Sequence, residues 1–408
     1  MDKILIIDAH CCNRGDEAAV KAMVDELAAL YPDSTIDISI QDTERYPCMH
    51  EGVSQIDRFP LPGSMLHKVE FMLCYASGGR IAFTKETKFF LSKIKESDIV
   101  IHAPGGPSIG DTYKDAEMVN LMRLNLIRRM HKKYMFYAMS IGPFHDERRN
   151  PLRKKILAGA EGIILRDPIS YQYVKEFVPE MKPLLTLDSA LQHDIDMEEN
   201  AAKLDGYPAL KDFMESHERC IGVTITDLLW HPVHGKNPEM AKRIMDTFNQ
   251  FLRRITGEGY AIIFIPQLYG KQNDSVLMHK FMLNERDFFC VSDSNERFDS
   301  YFQQYVISKC HAVVGMRYHS NIFSAKMGIP FISVSYEQKM LGFMQKMKLS
   351  DYCIPIEELN FERLLDKFVM LEQRYDEYKM RLISLHGGMR AEAYKSTLAV
   401  KEILDGAR

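Results

Sequence analysis

The sequence predicts an α/β protein built from two doubly wound, Rossmann-like domains that face a cleft. Its 408 residues are too many for one ordinary hydrophobic core, which favours two domains. Short apolar runs such as residues 4–7 and 313–316 alternate with amphipathic helical patterns, as in parallel sheets covered by helices. The alternation restarts after a polar stretch at 192–218, which is typical of a linker.

The strand patterns set the predicted domain boundaries. The first domain is predicted over residues 1–200, with strands beginning near Lys3 and ending near 187. The second domain is predicted over 215–375, and a C-terminal helical segment over 376–408. No internal repeat is visible beyond the alternation of strands and helices.

Composition narrows the class of protein. Hydrophobic residues make up 46% and charged residues 26%, which is typical of a soluble globular chain. The formal net charge of −4 argues against a nucleic-acid binder. No apolar run approaches the ~20 residues of a membrane span, and Lys3 leads straight into a strand, so we expect a cytoplasmic protein without a signal peptide. The eight cysteines are scattered, without a C-x-x-C pair, which favours reduced thiols.

The segment 313–339 carries the strongest functional signal. Arg317 and His319 follow a buried strand directly, and a helix begins at Ser320. The carboxyl ends of parallel strands are where open α/β sheets bind ligands, and a helix start favours anions. Arginine matches carboxylate or phosphate oxygens, and histidine transfers protons near neutral pH. The segment therefore predicts an anion site with an acid or base, although satisfied loop residues would give the same pattern.

Other cationic side chains are also candidates for a binding site. Arg166 is a second arginine at the carboxyl end of a predicted strand. The basic run at 148–155 is expected to be a solvated helix face, with an anionic partner as the alternative. His231 and His234 lie in a Pro/Gly loop without a third ligand nearby, so we expect no metal there.

Two loops are candidates for a polar ligand. Asn13, Asp16 and Glu17 follow the first strand, and such side chains suit sugar hydroxyls, although Asp16 would equally serve as an N-cap. The loop lacks a G-x-G-x-x-G pattern, which argues against dinucleotide binding. Gly105 and Gly106 would let a ligand approach the backbone closely, and a tight turn would use them as well.

Taken together, these motifs resemble the polysaccharide pyruvyl transferase family from residue 3 to about 355. The matching residues are Asn13-x-Gly15-Asp16-Glu17, Gly105-Gly106, Ser140-Ile141-Gly142-Pro143, Arg166-Asp167 with Ser170, Asp188, Gly315-Met316-Arg317-Tyr318-His319 and Tyr336-x-x-Lys339. The block from Arg317 to Lys339 is the most specific part of the resemblance.

The resemblance implies a GT-B-like fold with an active site between the domains. It implies phosphoenolpyruvate as donor, bound by Arg166, Arg317 and Lys339, and His319 as the catalytic acid. The first domain would then be the acceptor side and the second the donor side. Acceptor contacts would come from Asn13, Gly15, Asp16, Glu17, Gly105 and Gly106. No metal or organic cofactor is implied.

The implied product is a pyruvate ketal on a sugar of a cell-surface polysaccharide precursor, with phosphate released. The acceptor would be lipid-linked or nucleotide-linked, and a peripheral contact with the inner membrane is left open. Nucleic acid is not expected as a partner. Two alternatives remain at this stage, because fold does not fix function: a glycosyltransferase using a nucleotide sugar, or a non-catalytic glycan-binding protein on the same scaffold.

Overall fold

The computed structural model describes residues 2–41, 50, 52–59, 64–269, 273–291 and 299–406. The chain divides into two compact units. The first unit comprises residues 1–11, 19–193 and 392–408, and the second comprises residues 12–18 and 194–391. Each unit is an α/β domain built on one parallel sheet, which confirms the predicted fold class.

The first unit contains a seven-stranded parallel sheet in the order β3-β2-β1-β4-β5-β6-β7. Its strands are β1 (Lys3–His10), β2 (Thr35–Gln41), β3 (Val53–Asp57), β4 (Ile99–His102), β5 (Tyr134–Met139), β6 (Gly162–Leu165) and β7 (Leu184–Leu185). The helices along this part of the chain are α1 (Arg14–Leu30), α2 (Met65–Ser77), α3 (Lys85–Glu96), α4 (Lys114–Arg129), α5 (Asn150–Leu157) and α6 (Pro168–Phe177). The order reverses between β1 and β4, which makes their carboxyl ends the binding edge expected of such a sheet.

The second unit repeats this plan with six parallel strands in the order β10-β9-β8-β11-β12-β13. Its strands are β8 (Cys220–Thr224), β9 (Ala261–Phe264), β10 (Phe288–Cys290), β11 (Ala312–Gly315), β12 (Phe331–Ser335) and β13 (Cys353–Pro355). The remaining helices are α7 (Met197–Asp205), α8 (Pro208–Glu215), α9 (Pro238–Gly257), α10 (Asp274–Met278), α11 (Ser300–Ser308), α12 (Tyr318–Lys326), α13 (Gln338–Lys346), α14 (Phe361–Gln373) and α15 (Tyr375–Asp405). Here the order reverses between β8 and β11.

The last helix, α15, contributes its final turns to the core of the first unit. Thr397 and Ser396 are fully buried, and their hydroxyl groups bond to Tyr137 at 2.7 Å and to Thr186 at 3.0 Å. The predicted C-terminal helical segment is therefore a single helix whose end completes a sheet domain that begins at the N-terminus.

The basic run at 148–155 is not simply the solvated face that the sequence predicted. Arg153 is fully buried and donates hydrogen bonds to Glu117 at 2.7 and 2.8 Å and to Asp111 at 2.8 Å. Arg149 also binds Glu117, at 2.9 Å. The prediction was wrong for these two arginines because the partner they share, Glu117, lies more than 30 residues away in sequence, beyond any local pattern.

A buried charged cluster lies at the reversal point of the first sheet. Asp8, near the end of β1, has a left-handed backbone with φ 62° and pairs with Arg123 of α4. Its carboxylate also lies 3.5 Å from the Nε2 atom of His102. Burial would raise the pKa of Asp8, but Arg123 and His102 lower it to about 2. Asp8 is therefore ionised, and its charge stabilises the folded state.

Within the described residues, no helix has the length and apolar character that a membrane crossing requires.

Candidate functional site

The carboxyl ends of β8 and β11 position the segment that the sequence singled out. β11 is fully buried, and Arg317 occupies the N-cap position of α12 with an extended backbone, φ −96° and ψ 136°. The Thr224 hydroxyl oxygen accepts the backbone N–H groups of Met316 at 3.0 Å and Arg317 at 3.1 Å. A polar group at the end of β8 thus fixes the strand-to-helix turn at the point where the sheet order reverses.

Arg317 is held in one orientation by Asp274. Its Nε atom donates to Oδ2 at 3.1 Å and its Nη2 atom donates to Oδ1, a bidentate pair. The Trp230 ring covers the guanidinium, with the Cζ atom 4.9 Å from the ring centroid. Burial would lower the pKa of Arg317, but Asp274 and Tyr336 raise it above its usual value. Arg317 is therefore a permanently charged group in a fixed plane.

Lys339 is held in the same manner by Glu337. The Lys339 Nζ atom lies 2.7 Å from Oε2 of Glu337, and the His231 Nε2 atom lies 3.1 Å from Oε1. The Nδ1 atom of His231 accepts two backbone N–H groups, so its Nε2 atom carries the proton and donates to Glu337. Burial would raise the pKa of Glu337, but Lys339 and His231 hold it well below its usual range.

His319 lies in the first turn of α12 and is 5% exposed. Its ring packs between Tyr318, at a centroid distance of 4.9 Å, and Phe323, at 6.1 Å. The backbone of Gly15 lies so close to His319 that a Cβ atom on this glycine would overlap the imidazole ring. The structure thus brings together the predicted acid and a glycine from the N-terminal motif, both within the second unit.

Backbone hydrogen bonds attach the N-terminal motif to the loop after β9. The backbone N–H of Arg14 donates to the Gln267 carbonyl at 2.8 Å, and that of Tyr269 donates to the Cys12 carbonyl at 2.9 Å. The same loop donates its Gln267 and Leu268 N–H groups to Asp274 at 3.1 and 3.0 Å. A continuous set of contacts therefore runs from the motif through Asp274 to Arg317.

In the N-terminal motif, which spans Asn13 to Glu17, the Glu17 side chain has a structural role besides any contact with a ligand. The Glu17 carboxylate is 1% exposed and lies 2.7 Å from Nη1 of Arg14. Burial would lower the pKa of Arg14, and Glu17 raises it above its usual value. Asn13 accepts the backbone N–H of Gly15 at 2.9 Å, and Asp16 is half-buried. Glu17 is thus already held by Arg14, which is not among the matching residues of the family motif.

In the first unit, Arg166 lies at the carboxyl end of β6, is 1% exposed, and pairs with Asp188 at 2.5 Å. Its Nε atom donates to the Ser140 hydroxyl at 3.2 Å. Asp167 caps α6 by accepting the Ser170 N–H at 2.8 Å and also accepts the Ser140 hydroxyl at 2.9 Å. The structure therefore joins three separate sequence motifs, which centre on Ser140, Arg166 and Asp188, into one polar cluster.

The paired glycines border this cluster. The Gly105 carbonyl accepts the backbone N–H of Ser140 at 3.2 Å. A Cβ atom on Gly105 would meet no atom within 4 Å, so packing alone does not require glycine at that position. Gly105 and Gly106 are both half-buried, which leaves their backbone within reach of a ligand.

The predicted donor-binding cations share one feature that the sequence did not show. Arg166, Arg317 and Lys339 each lie against a carboxylate, namely Asp188, Asp274 and Glu337. Asp188 was part of the recognised motif. Nothing in the local sequence of Asp274 and Glu337 marks them as partners of these cations.

Across the ranges that the structure describes, no cluster of three or more His, Cys, Asp or Glu side chains could hold a metal ion. His231 and His234 each have another bonding partner, since the Nε2 atom of His234 lies 3.0 Å from the Tyr336 carbonyl oxygen.

The fold and these motifs define a family. The sequence profile described as "Polysaccharide pyruvyl transferase" matches residues 13–338, which is most of the chain, and the protein belongs to that family. The match contains every predicted site residue except Lys339, which lies one position beyond it. Among curated proteins, the chain is 21% identical to the amylovoran biosynthesis protein AmsJ of Erwinia amylovora, covering 93% of this chain and 94% of the relative.

Solved structures show the same architecture at low sequence identity. The UDP-GlcNAc 2-epimerase of Neisseria meningitidis, bound to UDP-GlcNAc, is 11% identical with a TM-score of 0.63, covering 99% of this chain and 100% of that one. A ugt transferase from Siraitia grosvenorii, in complex with UDP, is 11% identical with a TM-score of 0.58, covering 100% and 99%. These likenesses show a GT-B-like fold of two Rossmann-like domains.

Proposed function

We propose that this family member transfers the pyruvyl group of phosphoenolpyruvate to a sugar of a cell-surface polysaccharide precursor. The product is a pyruvate ketal, and inorganic phosphate is released. The observation that carries the proposal is the geometry at the end of β11, where a fixed arginine at the N-cap of α12 stands two residues before a buried histidine. This chemistry requires one group that binds the anionic donor and another that donates a proton.

The donor carries a carboxylate and a phosphate, roughly three negative charges that need hydrogen-bond donors. Arg317 and Lys339 are oriented in advance by Asp274 and Glu337, which reduces the entropy lost when the donor binds. The start of α12 adds backbone N–H groups that favour an anion. Arg166 is proposed to complete the donor site from the first unit, so that donor binding requires the two domains to meet.

The reaction begins with protonation of the donor's methylene carbon, and His319 as imidazolium is the proposed acid. Protonation converts the adjacent carbon into an electrophile, and a sugar hydroxyl attacks it. The carbon–oxygen bond to phosphate then breaks, and a second sugar hydroxyl closes the ketal ring. Of the two hydroxyl protons released, one restores the histidine and the other leaves with phosphate.

The acceptor is proposed to lie between the N-terminal motif and the paired glycines. Asn13, Gly15, Asp16 and Glu17 would approach the sugar beside His319, and Gly105 and Gly106 would do so from the first unit. Arg14 holds Glu17 at 2.7 Å and thereby fixes the direction of its carboxylate. The precursor is lipid-linked or nucleotide-linked, and the reaction would take place in the cytoplasm, next to the inner membrane.

One assay separates this function from its rivals. Purified protein is incubated with phosphoenolpyruvate and a panel of glycan precursors, and phosphate release is followed together with the NMR signal of a ketal methyl group. A parallel panel of nucleotide sugars is tested for release of a nucleoside diphosphate. Phosphate release coupled to a ketal supports the proposal. Nucleoside diphosphate release without phosphate would assign a glycosyltransferase instead, and no turnover on either panel would favour a binding protein.

A further inference from the structure

Helix α2 in the first unit has two apolar faces instead of one. Phe71 and Cys74 point into the core, as expected for a helix packed on a sheet. A second set of large apolar side chains is between 41% and 75% exposed and lies within roughly one third of the helix circumference by its spacing. This set consists of Met65, Leu66, Val69, Met72 and Leu73.

The apolar surface continues beyond the helix. Ile81 and Phe83 follow α2 in the connecting segment, Phe89 lies on α3, and all three are more than 40% exposed. Together with the exposed face of α2 they form what we call the α2–α3 surface. Single exposed apolar side chains are ordinary, but eight such side chains within 25 residues favour an interaction site.

A buried carboxylate holds this surface in shape. Glu70 is 0% exposed and accepts the backbone N–H groups of Phe83 at 2.6 Å and Thr84 at 2.7 Å. It also accepts the hydroxyl groups of Thr84 at 2.6 Å and Thr87 at 2.8 Å. Burial would raise the pKa of Glu70, but these hydrogen bonds lower it, so the group is ionised at neutral pH. The segment carrying Ile81 and Phe83 is therefore tied to α2.

The α2–α3 surface is also locally cationic. Its exposed basic side chains are Lys68, Arg80, Lys85, Lys88 and Lys95. The exposed acids in the same segment are Glu86 and Glu96, and Glu96 lies 3.3 Å from Lys3. This excess of positive charge stands in a chain whose formal net charge is −4.

We propose that the α2–α3 surface docks this protein on an anionic lipid bilayer. Apolar side chains on a helix lying in the interface insert below the headgroups, while neighbouring lysines and arginines meet the lipid phosphates. A second copy of the chain fits the surface less well, because a two-fold axis would place its cations against one another. The inference concerns binding alone and does not depend on pyruvyl transfer.

Vesicle flotation tests the proposal with the full chain and no substrate. The protein is expected to float with phosphatidylcholine vesicles that contain phosphatidylglycerol, and to remain behind with phosphatidylcholine alone. Raising the salt concentration should weaken binding, because salt screens the electrostatic attraction between the basic side chains and the lipid phosphates. Leu66→Gln with Met72→Gln, and separately Lys85→Glu with Lys88→Glu, should each lower the partition coefficient by roughly tenfold or more.

Matched controls introduce glutamine or glutamate at exposed positions outside the α2–α3 surface. Val276→Gln with Met380→Gln replaces two apolar side chains of similar exposure, 65% and 64%. Arg148→Glu with Lys155→Glu reverses two exposed cations of the basic run at 148–155. Both control pairs should float like the wild-type protein, and all variants should keep the wild-type melting temperature.

Two results would overturn the proposal. One is flotation that is absent in the wild-type protein, or that the control pairs reduce as much as the α2–α3 pairs do. The other is a wild-type dimer, seen by sedimentation without vesicles, that Leu66→Gln with Met72→Gln converts to monomer, because a second copy would then be the occupant.

Discussion

The imidazole of His319 and the backbone of Gly15 are in such close contact that no side chain fits between them. Gly15→Ala should therefore displace the His319 ring. A displacement of about 1 Å at a catalytic group costs on the order of 10²-fold in rate. The measurement is kcat for phosphate release, with the melting temperature followed in parallel.

Gly387→Ala provides the control for that experiment, since a Cβ at Gly387 would meet no atom within 4 Å. Its turnover should match the wild-type value. If Gly15→Ala retains wild-type kcat in a folded protein, the contact with His319 does not position a catalytic group.

His319→Gln tests the proposed acid directly. An amide of similar size keeps much of the packing against Tyr318 and Phe323 but has no proton to donate. Turnover should fall by roughly 10²–10⁴-fold, which is the usual contribution of one positioned acid. Calorimetry should show that phosphoenolpyruvate still binds. A variant that turns over at close to the wild-type rate would place the acid elsewhere.

Arg317→Ala should weaken phosphoenolpyruvate binding by about 2–5 kcal/mol, the usual cost of removing one side of a hydrogen-bonded charge pair. The substitution also leaves Asp274 without its guanidinium partner, so some loss of melting temperature is expected. Arg254→Ala, which removes an exposed arginine paired with Glu258, is the control and should bind donor normally. Unchanged donor affinity in a folded Arg317→Ala protein would remove Arg317 from the donor site.

Arg166 and Lys339 are 173 positions apart in sequence, and the proposed function has both contact one donor molecule. A double-mutant cycle with Arg166→Lys and Lys339→Ala should therefore give a coupling energy above about 0.5 kcal/mol in donor affinity. Arg166→Lys alone should weaken binding, because lysine cannot reproduce the planar fork. Strictly additive losses in the cycle would contradict a shared ligand.

Asp8 supplies a prediction about pH. Its pKa is lowered from 3.8 to about 2, so its charge stabilises the folded state fully above about pH 4, and the contribution is lost as the pH falls towards 2. Asp8→Asn should therefore lower the free energy of unfolding by about 2 kcal/mol at pH 7. Asparagine tolerates the left-handed backbone at this position, so little added strain is expected.

Urea unfolding of both proteins checks this prediction. The gap between wild type and Asp8→Asn should be constant from pH 7 to about pH 5 and should narrow below about pH 4. A gap that does not change between pH 5 and pH 3 would mean that the Asp8 charge contributes nothing.

Local patterns were sufficient to predict the strands β6 and β11, which position the site, but they did not predict the edge strands β3 and β13. Arg166 and Arg317 stand directly after buried apolar runs, and His319 stands two residues after Arg317, so their place at the carboxyl ends of strands followed from periodicity alone. Asp274 could not be found in that way. It reaches Arg317 across 43 residues from a short helix whose sequence carries no distinguishing pattern.

The sequence also does not show which way a side chain points or which partner it meets. Glu17 was predicted to meet a sugar, and the sequence does not show that Arg14, whose Cζ atom lies 4.9 Å from the centroid of the Tyr269 ring, would pair with it. The sequence also does not reveal the exposed face of α2. Its apolar spacing looks like that of any core helix, and only the packing shows which apolar residues the core leaves outside.

The final turns of α15 have a consequence for how the protein is made. Thr397 and Ser396 bond to Tyr137 and Thr186, so the first unit depends on residues from both early and late stretches of the chain. During translation, the early strands emerge long before the helix that closes their core. The N-terminal sheet therefore lacks the end of α15 while nearly 200 residues of the second unit are synthesised. A chain that ends before residue 396 would therefore leave the part of this core around Tyr137 and Thr186 without the helix that contacts it.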